Sequence, residues 1–194
     1  MTEKEKAAKG LLYDANNDPE LQDAMYKAHC LIDEFNRLPT KEREKRDLLI
    51  RSILKIGKNG YITSPFFCDY GENIEIGDNF FANTNLVILD GAKVKIGDNV
   101  FIAPNVGIYT AGHPLEVKLR NKGLEYAYPV TIGNNVWIGA HACILPGVTI
   151  GDNTTIGAGS VVTKDIPSNV LAAGNPCRII RKLPVETNHG QESQ

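Results

Sequence analysis

The sequence predicts a mainly β fold, a parallel β-helix of hexapeptide repeats with a helical segment in front of it. Two observations carry the prediction. Aliphatic residues recur at steps of six after about residue 56, and before it apolar residues recur at steps of three and four. One stretch in the middle interrupts the six-residue step without ending it.

The helical segment, residues 1–55, divides into three. Thr2 and Glu5 have the spacing of a capping box, so a short helix is expected over about residues 3–9. Asp18-Pro19 reads as an N-cap followed by proline at the first helical position. The helix it opens carries Leu21, Met25, Ala28, Leu31, Ile32 and Phe35 on one face and stops before Pro39. Thr40 is the candidate cap of a third helix bearing Leu48, Leu49, Ile53 and Leu54. Short one-sided helices are marginal alone, so these need a surface to pack against.

Residues 56–165 carry the repeat. The aliphatic positions run Ile76, Ala82, Ile88, then Ile96, Ile102, Ile108, then Ile132, Ile138, Ile144, Ile150, Ile156 and Val162. Glycine follows directly at Gly77, Gly97, Gly133, Gly139, Gly151 and Gly157, where a bend is needed. Neither a helix nor an alternating strand produces a step of six. A six-residue unit of one short strand and one bend does, and three units close a coil of about 18 residues. The repeat then holds about five coils, stacked at about 4.8 Å. Residues 109–129 do not fit and read as a loop inserted outside the stack, and long loops of this kind are usually functional or disordered. A C-terminal segment, 166–194, follows.

Composition narrows the function. The chain has 194 residues and a formal net charge of -2, with no basic excess to drive nucleic-acid binding. No apolar run is long enough for a membrane span, and the charged start has no signal-peptide core. Cys30, Cys68, Cys143 and Cys177 are far apart, which fits reduced thiols in a cytoplasmic protein. None has the setting of a nucleophile. The histidines are too sparse for a zinc site of about three converging ligands, so no metal is expected. His29 falls in the helical segment, His141 at a surface position of a coil and His189 in a polar tail. His113 lies in the inserted loop, between Gly112 and Pro114, and from its position alone reads equally as an ordinary loop histidine or a base.

Several runs resemble the hexapeptide-repeat acyltransferases, in particular the maltose and galactoside O-acetyltransferase group. They are Lys9-Gly10-Leu11-Leu12-Tyr13-Asp14, Cys68-Asp69-Tyr70-Gly71, Asn79-Phe80-Phe81-Ala82-Asn83, Thr110-Ala111-Gly112-His113-Pro114, Asn134-Asn135-Val136-Trp137-Ile138-Gly139 and Gly174-Asn175-Pro176-Cys177-Arg178. The resemblance implies a left-handed coil, a homotrimer whose active sites are shared between copies, and transfer of an acetyl group from acetyl-coenzyme A to a sugar hydroxyl in a ternary complex.

It also implies roles. His113 becomes the general base, since a sugar hydroxyl is a poor nucleophile until its proton is removed. Asn83 becomes an amide donor to the oxyanion. Asp14, Asp69 and Asp90, with Asn83, become acceptor-binding residues, because carboxylates accept from several hydroxyls. Gly91 stands where some members carry a second acid, which argues against a galactoside preference. Ala140, Ala158, Thr163, Lys164, Arg178 and Arg181 become the coenzyme groove, small residues for the pantetheine arm and cations for phosphates. Trp137 is expected beside that groove or in a subunit contact, and Glu125 is the candidate to orient His113. The rival readings are an acetyltransferase for serine or an antibiotic, a metal-dependent hydratase of the same architecture, and a non-catalytic assembly module.

Overall fold

In the computed structural model, which describes residues 1–184, a triangular prism of parallel strands is closed at one end by helices. Its first face stacks Lys55–Ile56, Ile74–Ile76, Val94–Ile96, Val130–Ile132 and Thr149–Ile150. The second stacks Tyr61–Ile62, Phe81–Ala82, Phe101–Ile102, Trp137–Ile138, Thr155–Ile156 and Val170–Ala173. The third stacks Phe66–Cys68, Leu86–Leu89, Gly107–Tyr109, Cys143–Ile144 and Val161–Val162. Five coils are complete, and a bridge from Ile150 to Ile166 starts a sixth. The inward residues Ile88, Ile108, Ile138, Ile144, Ile150, Ile156 and Val162 are fully buried, in one core that runs the length of the prism.

The coils are not all the expected 18 residues. Lys55 pairs with Glu75 and Glu75 with Lys95, a step of 20 that recurs in the side-chain bonds between coils. The next steps are 36, 18 and 16. The difference arises at one edge, where the third face turns into the first. There the first coil spends Asp69 to Asn73 on the turn, the second spends Asp90 to Lys93, and the third makes the insertion. The other two edges keep tight turns built on asparagine in the left-handed region. Asn59, Asn79, Asn99, Asn135, Asn153 and Asn169 all have φ between 53° and 60°. Each of the first five donates its side-chain amide to the next at 2.9–3.2 Å, so the edge is a continuous ladder. Asparagine tolerates this conformation better than other residues with a Cβ. A shorter ladder of Asn85 and Asn105 ends on His141, which takes the asparagine position at φ 60°.

The helices follow the sequence reading with one correction. α1 (Glu3–Ala8) has the capping box, and α2 (Pro19–Arg37) starts at Asp18, whose carboxylate accepts from the Leu21 amide at 2.9 Å. α3 (Arg43–Ile53) is preceded by Glu42, not by a Thr40 cap, and Leu48 is 71% exposed. The expected Ile53 and Leu54 are buried, Leu49 packs against the core, and the core side of α3 adds Ile50 and a buried Arg46. The Arg46 guanidinium lies 4.4 Å over the Phe35 ring and donates to the Phe35 and Leu38 carbonyls, so it caps the end of α2. Ile32, Phe35 and Ile50 join the prism core, covering the end that would otherwise expose unpaired strand edges. At the far end Arg178–Lys182 folds back antiparallel on Val170–Ala173. No helix of the described residues is long and apolar enough to cross a membrane. His189, placed by the sequence reading in a polar tail, lies outside the described residues.

Candidate active site

The widened edge of the prism gathers the chemistry. The inserted loop is a hairpin in which Ala111 pairs with Ala127 and Gly112 with Tyr126, with a helical turn, α4 (Val117–Arg120), near its tip. Thr110, fully buried, anchors its root by donating to the Leu89 carbonyl at 2.7 Å and accepting from the Ala92 amide at 2.9 Å. The N-terminal segment crosses this edge. Tyr13 and Glu125 exchange both backbone hydrogen bonds at 3.0 Å, and Ala7, Tyr13, Ala15 and Leu21 pack on Ala92 and Ala127 as a second apolar cluster.

His113 follows Gly112 at the open end of the hairpin and is exposed. Its Nδ1 lies 3.0 Å from the Leu124 carbonyl oxygen. A carbonyl can only accept, so Nδ1 carries the proton and the neutral ring presents Nε2 as a base. Glu125, expected to orient His113, does not touch it. Its carboxylate accepts from the Tyr13 hydroxyl at 3.0 Å, and the neighbouring backbone carbonyl does the orienting.

Asp69 and Asp90 occupy the same edge in successive coils. Asp90 is fully buried, and its Oδ1 accepts from the Asp69 and Tyr70 amides at 3.0 and 2.9 Å, while Oδ2 has no partner. Burial pushes its carboxyl up to about 6 despite those amides. In the single chain Asp90, expected to bind the acceptor, is a buried post of this turn. Asp69 is half-buried, and burial together with the charges of Asp90 and Glu125 pushes it up to about 7. The Asp14 carboxylate is engaged locally, accepting from the Asn16 and Asn17 amides and the Asn17 side chain at 2.9–3.2 Å.

The remaining predicted residues divide between two edges. Thr163 and Lys164 lie on the His113 edge, exposed, above it in later coils. Asn83, Ala140 and Ala158 lie on the edge where the second face turns into the third. Asn83 Oδ1 accepts from the Thr84 amide at 2.8 Å, which fixes the flip of its amide and leaves Nδ2, a donor, for a ligand. Ala140 and Ala158 stack through a 2.8 Å bond from Gly159 to the Ala140 carbonyl, and a Cβ on Gly139 would lie 2.5 Å from the Ala158 nitrogen. Arg178 and Arg181 are exposed on the final antiparallel strand. Beside this edge the outer side of the second face carries Tyr61, Phe81, Phe101 and Trp137 in register, with Phe101 53% and Trp137 57% exposed.

A pocket of about 470 Å³ lies under α1, lined by Ala7, Tyr13, Tyr70, Gly91 and Lys93 among others. None of the predicted site residues lines it. Burial also pushes the Cys68 and Cys177 thiols up, so both stay protonated and unreactive at neutral pH. No group of three or more His, Cys, Asp or Glu side chains among the described residues could hold a metal ion.

Known proteins match both parts of the chain. The family model for the maltose acetyltransferase hexapeptide capping motif matches residues 6–57, and that for the bacterial transferase hexapeptide (six repeats) matches 129–164. Galactoside O-acetyltransferase of Escherichia coli K12 is 50% identical over 190 residues, covering 97% of this chain and 92% of its own. The chain belongs to the hexapeptide-repeat acetyltransferases. The crystal structure of a maltose O-acetyltransferase from Clostridium difficile 630 superposes on this acetyltransferase with a TM-score of 0.93 at 52% identity, covering 95% of this chain and 99% of that one. A galactoside acetyltransferase in complex with coenzyme A superposes with a TM-score of 0.92 at 49% identity, covering 95% and 92%.

Sequence reasoning missed Tyr13, Thr110 and the consequence of Gly91. A Cβ built on Gly91 lies 2.7 Å from the Tyr13 hydroxyl, so a side chain there would have to displace a group 78 positions away in a different element. The 20-residue spacing of the early coils was the available signal, because it marks the edge where extra residues gather.

Proposed function

We propose that this enzyme moves the acetyl group of acetyl-coenzyme A to a sugar hydroxyl by direct transfer, with His113 as general base. The observation that carries the reading is the Nδ1 bond to Leu124, which leaves Nε2 as the acceptor of a proton. Nε2 takes the proton of the hydroxyl as its oxygen attacks the thioester carbonyl. The oxyanion of the tetrahedral intermediate accepts from Asn83 Nδ2. Collapse expels the coenzyme thiolate, which takes the proton back from the imidazolium.

Asp69 is the acceptor-binding acid this reading retains. Hydroxyls donating to it supply hydrogen bonds that its half-buried setting lacks. The coenzyme runs past Ala140 and Ala158, with Lys164, Arg178 and Arg181 on its phosphates. That complex of coenzyme with a relative supports the donor.

Asn83 and His113 sit on different edges of one prism, so they meet only where an edge of one copy faces the other edge of the next. Such head-to-tail contacts close into rings, and a triangular cross-section favours three copies. The exposed aromatic stripe from Tyr61 to Trp137 gives the contact apolar area to bury. Four free cysteines fit a reducing compartment, and we place the homotrimer in the cytoplasm. The test is thiol release from acetyl-coenzyme A with maltose, glucose, a galactoside, serine and chloramphenicol as acceptors. Turnover with none of the sugars would overturn the reading.

A further inference from the structure

The N-terminal segment grips the stretch of hairpin that holds the reacting histidine, and one side-chain hydroxyl is part of that grip. Tyr13 is 1% exposed, and its side chain ends at the Glu125 carboxylate, 3.0 Å away. The two residues also exchange both of their backbone hydrogen bonds, each 3.0 Å. Glu125 directly follows Leu124, whose carbonyl holds the Nδ1 proton of His113 at 3.0 Å. That stretch of the hairpin lies beyond its two paired positions, Ala111 with Ala127 and Gly112 with Tyr126, so the sheet ladder does not fix it. What fixes it is the N-terminal segment: Tyr13 holds Glu125 through backbone and hydroxyl, and the Asn16 side chain donates to the Gly123 carbonyl at 2.9 Å. Gly91 is part of the same device, since any side chain there would strike the Tyr13 hydroxyl.

The geometry points to Tyr13 as a positioning residue for the transfer reaction: its hydroxyl, through Glu125, holds the Leu124 carbonyl and thereby the tautomer and aim of His113. The inference rests on His113 being the base. A neutral imidazole without that carbonyl divides between two tautomers, and only the one protonated at Nδ1 presents Nε2 to the acceptor. A capping segment at the end of a solenoid thus also sets the chemistry of a loop in the third coil.

Tyr13→Phe removes the hydroxyl and keeps the ring that packs on Ala92 and Ala127. The expected result is a roughly tenfold fall in kcat, of the size that small misplacements of reacting groups produce. KM for acetyl-coenzyme A stays unchanged and the thermal midpoint moves little. In histidine-labelled protein, long-range proton–nitrogen correlation spectra show His113 protonated at Nδ1 in the parent chain and mixed between nitrogens in the variant. Gly91→Ala, which displaces the hydroxyl, lowers kcat similarly, and the double variant is no worse than Tyr13→Phe alone. Unchanged kcat overturns the inference. So does a fall in kcat with the parent tautomer intact, or one that tracks a lowered melting point and raised KM for both substrates. His113→Ala separates the two levels: if it is inactive while Tyr13→Phe is normal, the base stands and the clamp falls.

Discussion

Replacing Asp90 by asparagine changes one buried charge and almost no volume, and its effect has a sign that depends on pH. A carboxyl near 3.9 in the unfolded chain and about 6 in the folded one is displaced by about two units, worth about 3 kcal/mol at roughly 1.4 kcal/mol per unit. The folded pKa is raised, so the fold prefers the neutral acid. The folded chain therefore binds more protons than the unfolded one between about pH 4 and 6, and stability falls as pH rises through that window. Asparagine does not titrate. It keeps an oxygen for the Asp69 and Tyr70 amides but puts an NH₂ group where Oδ2 has no partner, at a cost of about 1–2 kcal/mol. The variant is then about 1–2 kcal/mol more stable than the parent at pH 8 and less stable by a similar amount at pH 4. Urea midpoints of both proteins at pH 4, 5, 6, 7 and 8 measure this. A difference that is flat with pH would refute the reasoning. So would one that grows in the parent's favour as pH rises, because the amides would then hold the carboxylate ionised.

His113→Ala is expected to lower kcat by at least about 100-fold with coenzyme binding nearly intact, read by steady-state kinetics and by titration with coenzyme A. Mixing inactive Asn83→Ala and His113→Ala chains, unfolded and refolded together, is expected to restore about a quarter of the parent activity, because random assembly completes about one contact in four; no recovery would place both residues in one copy's site. Lys164→Ala and Arg178→Ala are each expected to raise KM for acetyl-coenzyme A several-fold and leave kcat near the parent value. Asn99→Ala keeps the β-carbon at φ 54° but loses the side-chain amide that makes asparagine tolerant there, and it breaks two rungs of the ladder, for a loss of about 2 kcal/mol in urea unfolding.

The repeat was legible because its cause is local. An inward aliphatic residue every sixth position is what a triangular coil requires, and Ile132 to Val162 keep that step without a break. The caps of α1 and α2 were legible for the same reason, since a cap is settled within four residues. α3 was not, because Arg46 is buried by a cation–π contact and two carbonyls that belong to the end of α2, and no spacing within α3 announces them. In the site, His113 was visible as a histidine in an insertion, but the atom that orients it is a backbone carbonyl, which has no letter in the sequence. The acceptor role of Asp90 came from the resemblance, and no spacing in the sequence shows that its carboxylate accepts from the turn's own amides.

One edge of the prism explains why the site contacts that the sequence does not show cluster. A solenoid is stable when every coil repeats, and the two tight edges repeat through their asparagines. The third edge departs from the repeat in the first three coils, by two residues twice and then by the whole hairpin, before Leu145-Pro146-Gly147 closes it tightly again. Departures of this kind leave backbone amides without ladder partners, and buried side chains must satisfy them. Asp90 and Thr110 do so here, at the cost of burying a carboxylate with one oxygen unpaired. The regular coils hold that strain in place because their core is continuous on both sides of it. An irregular edge on a regular column is therefore a place where reactive groups can be held rigidly, and it is the edge on which this chain carries Asp69, Glu125 and His113.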